Sequence, residues 1–403
     1  MAAVLIAALF VVPFPASVSG DHGGRPIGSY LGCDRPVIPP RCTSVGNNLF
    51  HGVVFDETLT EGLASSLRDS LAEDYGATKI VPVVQPEVTD STDVIAYSED
   101  YGDNGAAGWV YCPSDAPQGT NFAGDRWCQQ QQMHFNLNPR YAIFFADDAS
   151  RDHVTCHELG HTVGLRHWGN PPETDGPPAE TCMQSNTPNG PTDLHQIDRD
   201  HIDGYRLARP PARAPSVRFI SEVLLDAPET AAAWAGATAD ALELEHFATL
   251  PDLVIGADAV VRGRITSVEA GREFGGATGV PFSYAAATIQ VDELLSGALP
   301  PDHRAELTLE IPLFGGDDAL AALQADVSGA ERVFFLRNKG ASARAAGMSA
   351  AEQSVDAEFY RLVTQRSVLE DHDGLATLPA GEDASLAGLL FDDAVTRIRR
   401  AAS

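Results

Sequence analysis

One stretch of eleven residues, His157-Glu-Leu-Gly-His161-Thr-Val-Gly164-Leu-Arg-His167, constrains this chain more than any other. Positions i and i+4 of a helix share a face, so His157 and His161 can aim two imidazoles at one ion. A catalytic zinc takes three protein ligands and keeps a fourth position open. The third ligand must therefore come from chain that has left the helix axis. Gly164 supplies the bend, because glycine takes a positive φ that other residues resist. His167 then returns three residues later. The fold must accordingly contain a helix over Asp152 to Val163 that stops at Gly164 and turns sharply.

Glu158 adjoins a ligand and is free of metal-binding duty. It is placed to hold an activated water, take its proton during attack on a peptide carbonyl and hand it to the leaving amine. Zinc would lower the pKa of that water to about 7 and polarise the carbonyl. With this histidine content the short pattern H-E-x-x-H arises by chance in about 2% of such chains. Fixing Gly164 and His167 as well lowers that expectation to roughly one in ten thousand. Incidental placement is therefore a poor account of the motif.

H-E-x-x-H-x-x-G-x-x-H followed by a methionine turn resembles the metzincin zinc metalloendopeptidases. Cys182-Met183-Gln184 stands about sixteen residues after His167, where that family forms the turn flooring its zinc. The resemblance implies a catalytic zinc on His157, His161 and His167, Glu158 as general base, and Met183 beneath the imidazoles. It covers roughly residues 45–208, and the layout before the motif is similar as well. It also implies an edge strand that pairs with extended substrate, for which Gln132 to Leu137 is the candidate. Trp168 leaves the branch unassigned beyond a matrixin-like cast, and Ser185 stands where some branches place a tyrosine ligand. Pro40-Arg41-Cys42 is similar to the matrixin cysteine switch, although even cysteine parity favours a structural disulfide there.

The rest of the chain fits an exported protein. Ala2 to Val12 is an apolar stretch of 11 residues, too short for a bilayer span and right for a signal segment, with Val18-Ser19-Gly20 as a cleavage site. No Lys or Arg precedes it. No other segment suits a membrane span. Six cysteines, Cys33, Cys42, Cys112, Cys128, Cys156 and Cys182, suggest three disulfides. Proximity favours Cys33–Cys42 and Cys112–Cys128, leaving Cys156 with Cys182.

Along the chain, residues 1–20 read as signal peptide and 21–44 as a stapled arm. Residues 45–208 read as the protease domain, 209–215 as a Pro-rich linker and 216–403 as a β-rich accessory domain. His51 to Phe55, Lys79 to Val84 and Asp93 to Tyr97 are strand-like. Leu63, Leu67, Leu71 and Tyr75 form a helical stripe. A mixed sheet covered by a helix follows from that order. The stretch closed by Cys112 and Cys128 reads as loop, and Thr192 as the cap of a last helix reaching Tyr205. Beyond Pro215 an Ala-rich helical segment (about 220–248) precedes five β-like runs between Ala259 and Val363, and a helix over Ser385 to Arg399 closes the chain. A small antiparallel barrel or sandwich is expected there. The fold class expected is therefore α+β, with a metzincin-like catalytic domain followed by a β-rich domain.

Lys plus Arg number 27 and Asp plus Glu 56, a formal net charge of −29, which repels phosphate backbones and argues against nucleic acid as a partner. Solubility accounts for this acidity, and structural calcium, Ca2+, held by carboxylates is the second account. The partner expected is an extracellular protein or peptide substrate, with no membrane and an oligomeric state the sequence leaves open. The rival expectation is a secreted binding or adhesion protein whose C-terminal domain is the main unit. His134, His153, His195 and His201 are expected to be solvated or helix-face residues.

Overall fold

The computed structural model describes residues 50–113, 116–120, 126–165, 181–184, 188–204, 240–243, 245, 247, 249–276, 281–314, 316–325, 327, 329–364, 367–377, 386 and 389–402. The signal segment, the arm with Cys33 and Cys42, His167, Trp168, Ser185 and the linker 209–215 lie outside these residues.

The N-terminal body begins with β1 (Phe50–Phe55) and α1 (Glu61–Ser70), which runs on through a π turn over Leu71–Tyr75. Then come β2 (Val81–Gln85), β3 (Thr92–Glu99), β4 (Ala106–Tyr111), a small hairpin of β5 (Gln118–Thr120) and β6 (Arg126–Cys128), and β7 (Gln131–Asn136). A 3-10 turn over Pro139–Phe145 leads to α2 (Asp148–Thr162), and α3 spans Gln196–Gly204. A further strand, β8 (Asp240–Glu243), completes a six-stranded sheet in the order β2-β1-β3-β7-β4-β8. The first four strands in that order run parallel, whereas β4 is antiparallel to both neighbours.

The predicted stripe is the buried face of α1: Leu63, Leu67, Leu71 and Tyr75 all enter the core with Val94, Met133, Phe135 and Leu159. Burying such side chains contributes about 1.5–3 kcal/mol each, which orients α1 and α2 against the sheet. Asp147 caps α2 by accepting the Ser150 N–H at 2.8 Å.

Four expectations need correction. Gln132 to Leu137 is not an edge strand, because β7 lies inside the sheet between β3 and β4. Its alternation reflects two buried faces rather than a solvent edge. The stretch closed by Cys112 and Cys128 holds the β5–β6 hairpin, and just before it runs the unforeseen β4, whose Ala106, Ala107 and Gly108 carry no strand signal. α3 starts at Gln196, not at Thr192; the Asp198 carboxylate accepts the His195 N–H at 3.2 Å and gathers that first turn. Asp240–Glu243 is a strand inside the segment expected to be helical, so sheet pairing overrides local helix propensity there.

In the C-terminal body β9 (Ala259–Gly275), β10 (Pro281–Gly297) and β11 (Glu306–Pro312) form an antiparallel meander. A helix over Gly316–Ala325 crosses to β12 (Arg332–Asn338), which returns beside β9. β13 (Phe359–Leu362) runs parallel to β11 and antiparallel to β12. That double pairing closes five strands into a barrel with OB-fold topology. A hairpin of β14 (Val368–His372) and β15 (Leu375–Thr377) extends β12, and the helix Phe391–Ala401 packs behind it. Among the described residues no helix is long and apolar enough to cross a membrane.

The long β9–β10 hairpin carries its tip onto the first body. Phe282, Tyr284 and Phe314 pack with Tyr101, Ala106 and Trp109. The Tyr284 hydroxyl donates to the Tyr101 carbonyl at 2.8 Å, and the Gly276 N–H donates to the Glu99 carboxylate at 2.5 Å.

Candidate metal centre

His157 and His161 project from one face of α2, as their spacing requires, and both are fully buried. Each ring is fixed by its Nδ1: that of His157 lies 2.8 Å from the Cys182 carbonyl, and that of His161 2.9 Å from the Leu165 carbonyl. A carbonyl only accepts, so each Nδ1 carries its hydrogen and each Nε2 of the neutral ring offers a lone pair. The two Nε2 atoms face one another at 3.1 Å. Two lone pairs in that position repel unless a proton or a metal cation lies between them. Ligands about 2.0–2.1 Å from one tetrahedral zinc ion would stand about 3.3–3.4 Å apart, close to this spacing. Nδ1 anchored on a carbonyl and Nε2 aimed inward is also the pattern of histidines that bind metal. The donor set thus fits a divalent cation of the zinc type, with His167 outside the described residues. Among those residues no three His, Cys, Asp or Glu side chains converge on one point.

Gly164 adopts φ 100° and ends the helix, and the Leu165 N–H bonds the Gly160 carbonyl at 2.9 Å. The turn therefore serves His161 directly, since it delivers the Leu165 carbonyl to the ring. Glu158 follows His157 on the helix and is buried against β4. A Cβ added to Gly108 would stand 2.6 Å from Glu158 Oε1 and 2.9 Å from its carboxyl carbon. Glycine at 108 is thus a requirement of the carboxylate's position.

Met183 lies with the site, fully buried. A Cβ added to Gly160 would meet the Met183 sulfur at 2.2 Å, so the thioether occupies the room that this glycine leaves on α2. The turn carrying Met183 is pinned on both sides. The Cys182 N–H donates to the Asp193 carbonyl at 2.9 Å, and the Met183 N–H to the Thr181 hydroxyl at 3.2 Å. The Thr181 hydroxyl donates in turn to Asp198 at 2.5 Å. The Cys156–Cys182 disulfide joins this turn to α2. Cys112–Cys128 is also formed, while Cys33 and Cys42 lie outside the described residues.

Of the four histidines expected to be solvated or on a helix face, His153 lies on α2 and is buried there, and His134 is neither solvated nor helical. His153, one turn before His157, is buried with its Nδ1 2.7 Å from the Pro191 carbonyl, and burial pushes its pKa down. His134 is stacked on Trp109 at 5.1 Å and bonds the Tyr101 hydroxyl at 2.9 Å, and burial lowers its pKa to about 3. Sequence reasoning also missed Gly108, Gly160 and the hydrogen bond that Tyr75 of the α1 stripe makes to α2. The Tyr75 hydroxyl donates to the Cys156 carbonyl at 2.8 Å and so fixes α2 from the side of α1. The glycine inside H-E-L-G-H was the available signal, because mid-helix glycine costs stability and calls for a packing reason.

No family model matches the chain, and no curated protein matches it. Among solved structures it is similar to high choriolytic enzyme 1, a hatching enzyme zinc-protease from Oryzias latipes (medaka fish), at 14% identity. That match covers 39% of this chain and 89% of the other, with a TM-score of 0.24, and it carries no argument about this chain. The functional reading rests on the residues themselves.

Proposed function

We propose that the chain is a secreted zinc-dependent endopeptidase of the metzincin type, acting on extracellular protein or peptide. The observation that supports it is the pair of Nε2 atoms 3.1 Å apart on the helix that also carries Glu158. His157, His161 and His167 would hold the zinc, which when bound supplies Lewis-acid polarisation and a water of lowered pKa. Glu158 acts as general base: its buried carboxylate takes a proton from the attacking water and returns it to the leaving nitrogen. Gly108 holds that carboxylate close to β4, so Glu158 works beside the strand along which a peptide would lie. The Cys182 carbonyl keeps His157 in place, and Met183 beside it packs against Gly160 of the same helix. The two described disulfides suit an oxidising compartment and so favour export.

The test compares purified protein with Glu158→Ala on denatured casein, with and without a zinc chelator, alongside metal analysis. We expect bound zinc in both, loss of cleavage with chelator, and a fall of about 10²–10⁴-fold in the variant. Cleavage by Glu158→Ala at the parent rate would sink the assignment of the base. Folded, zinc-loaded protein that cleaves nothing, even in the strand-released variants below, would sink the peptidase reading.

A further inference from the structure

The sheet edge beside the site is filled by the chain itself. β8 pairs antiparallel with β4, setting Glu243 opposite Ala106, Leu242 opposite Gly108, Ala241 opposite Trp109 and Asp240 opposite Val110. Gly108 is the residue against which the Glu158 carboxylate is seated. The backbone at Leu242 therefore runs directly opposite the strand position that backs the candidate base. An exposed strand edge is where an extended peptide adds through main-chain hydrogen bonds. On β4 those groups face β8.

The strand is short, and each ladder bond contributes only about 0.5–1.5 kcal/mol net. It has a stronger anchor two residues on. Glu245 receives three guanidinium groups: Arg140 at 3.3 Å, from the turn before α2, and Arg337 at 2.8 Å and Arg361 at 3.5 Å, from the barrel. Arg361 also bonds Asp103 at 2.9 Å, just before β4, and Arg337 bonds Asp258 at 2.8 Å, just before β9. Glu245 is thus clasped by both bodies at once, and β8 cannot leave β4 freely while the barrel is docked.

We propose that residues 240–243 form an autoinhibitory strand, an intramolecular occupant of the peptide-pairing edge, locked by the arginine clasp on Glu245. This rests on the peptidase reading only in taking β4 as the edge beside the working carboxylate. A tethered segment competes at an effective concentration in the mM range. A dilute extended substrate loses that competition until the clasp opens. Undocking of the barrel withdraws Arg337 and Arg361, leaves Glu245 to Arg140 alone and so loosens β8 on the edge.

The experiment uses the full chain and two variants that leave the site untouched. Leu242→Pro removes a backbone donor from β8, and Glu245→Gln weakens the clasp while keeping the strand sequence. Each is measured for cleavage of fluorescent denatured casein and for binding of a labelled synthetic peptide of residues 238–247, with thermal unfolding as the control for folding. The expected result is at least about a tenfold gain in cleavage and in peptide binding for both variants, with the parent binding the peptide barely. If folded variants neither cleave faster nor bind the peptide better than the parent, the proposal is overturned and the peptidase reading is untouched. If they bind the peptide but nothing cleaves, the occupied edge stands and the peptidase reading falls. If Leu242→Pro fails to fold, Glu245→Gln decides alone.

Discussion

Around α2 the chain is held by covalent and main-chain devices, whereas the barrel is held by buried charge. All six cysteines precede residue 183. One of their disulfides joins α2 to the Met183 turn, and two histidine rings hang on backbone carbonyls. The barrel has no cysteine. Inside it Glu310, fully buried, accepts from Lys339 at 2.7 Å and from both sides of the Arg272 fork at 2.6 Å. Arg332 and Glu370 form a second buried pair at 2.8 Å. The difference follows from what each body must do. Two ring lone pairs aimed at one point need direct supports that add no competing charge, and the two carbonyls meet that need, while the Asp198 carboxylate acts further out through Thr181. A barrel with no such site among its described residues can bury charges as long as each meets its partner. Burial would push the Glu310 carboxyl up, but Lys339 and Arg272 together hold it below the usual range.

The largest effect that would break this contrast is expected from Glu310→Gln. It leaves Lys339 buried without its counter-charge, and removing one partner of a buried pair costs about 3–5 kcal/mol. Unfolding by denaturant should show the loss in the barrel, with zinc binding by the N-terminal body retained. Equal loss of zinc binding would show that the two bodies stand or fall as one.

Next in size is the double substitution Cys156→Ala with Cys182→Ala. Its loop, closed across a sequence separation of 26, gives a loss of about 3.5 kcal/mol on the chain-entropy account. Because the Cys182 carbonyl orients His157, zinc affinity should fall along with stability. Hydrogen exchange in β9 to β12 should stay as in the parent. A site that keeps its zinc affinity would show that the Asp193 and Thr181 bonds hold the turn unaided.

Legibility in the sequence follows the same division. The α2 motif, the Gly164 turn and the α1 stripe could be read because spacing along a helix fixes which residues meet. The placement of β7 could not, since alternation in a strand does not say whether a neighbour covers its edge. β4 was hidden by Gly108, whose missing side chain is dictated by Glu158, 50 positions away in the chain. β8 was hidden for the same kind of reason: its partner β4 lies far back in the chain, on the other side of the segment read as a linker, and its local composition favours helix. Barrel closure depends on β13, four residues long and paired in parallel with β11, a contact with no local signature. His167 keeps its assignment from the motif alone.

The smallest expected effect sharpens the comparison through pH. His134 and His51 are buried neutral in the N-terminal body, with pKa values lowered by burial to about 3 and about 4 against an ordinary 6.5. Above pH 6.5 neither costs anything. As pH falls below 6.5 the unfolded chain takes protons that the folded chain refuses, so stability declines until the folded values are reached. Each histidine then contributes a slope of about 1.4 kcal/mol per pH unit. The variant His134→Phe keeps an aromatic ring on Trp109 and removes one of these proton sites. Between pH 6.0 and 4.5 its denaturation free energy should fall less steeply than the parent's by about 1.4 kcal/mol per unit. His134 stacks in the cluster that seats the β9–β10 hairpin, so protonation there strains the seam between the bodies before it reaches the barrel core. Parallel slopes for parent and variant would mean that water reaches His134 and that the seam is open in solution.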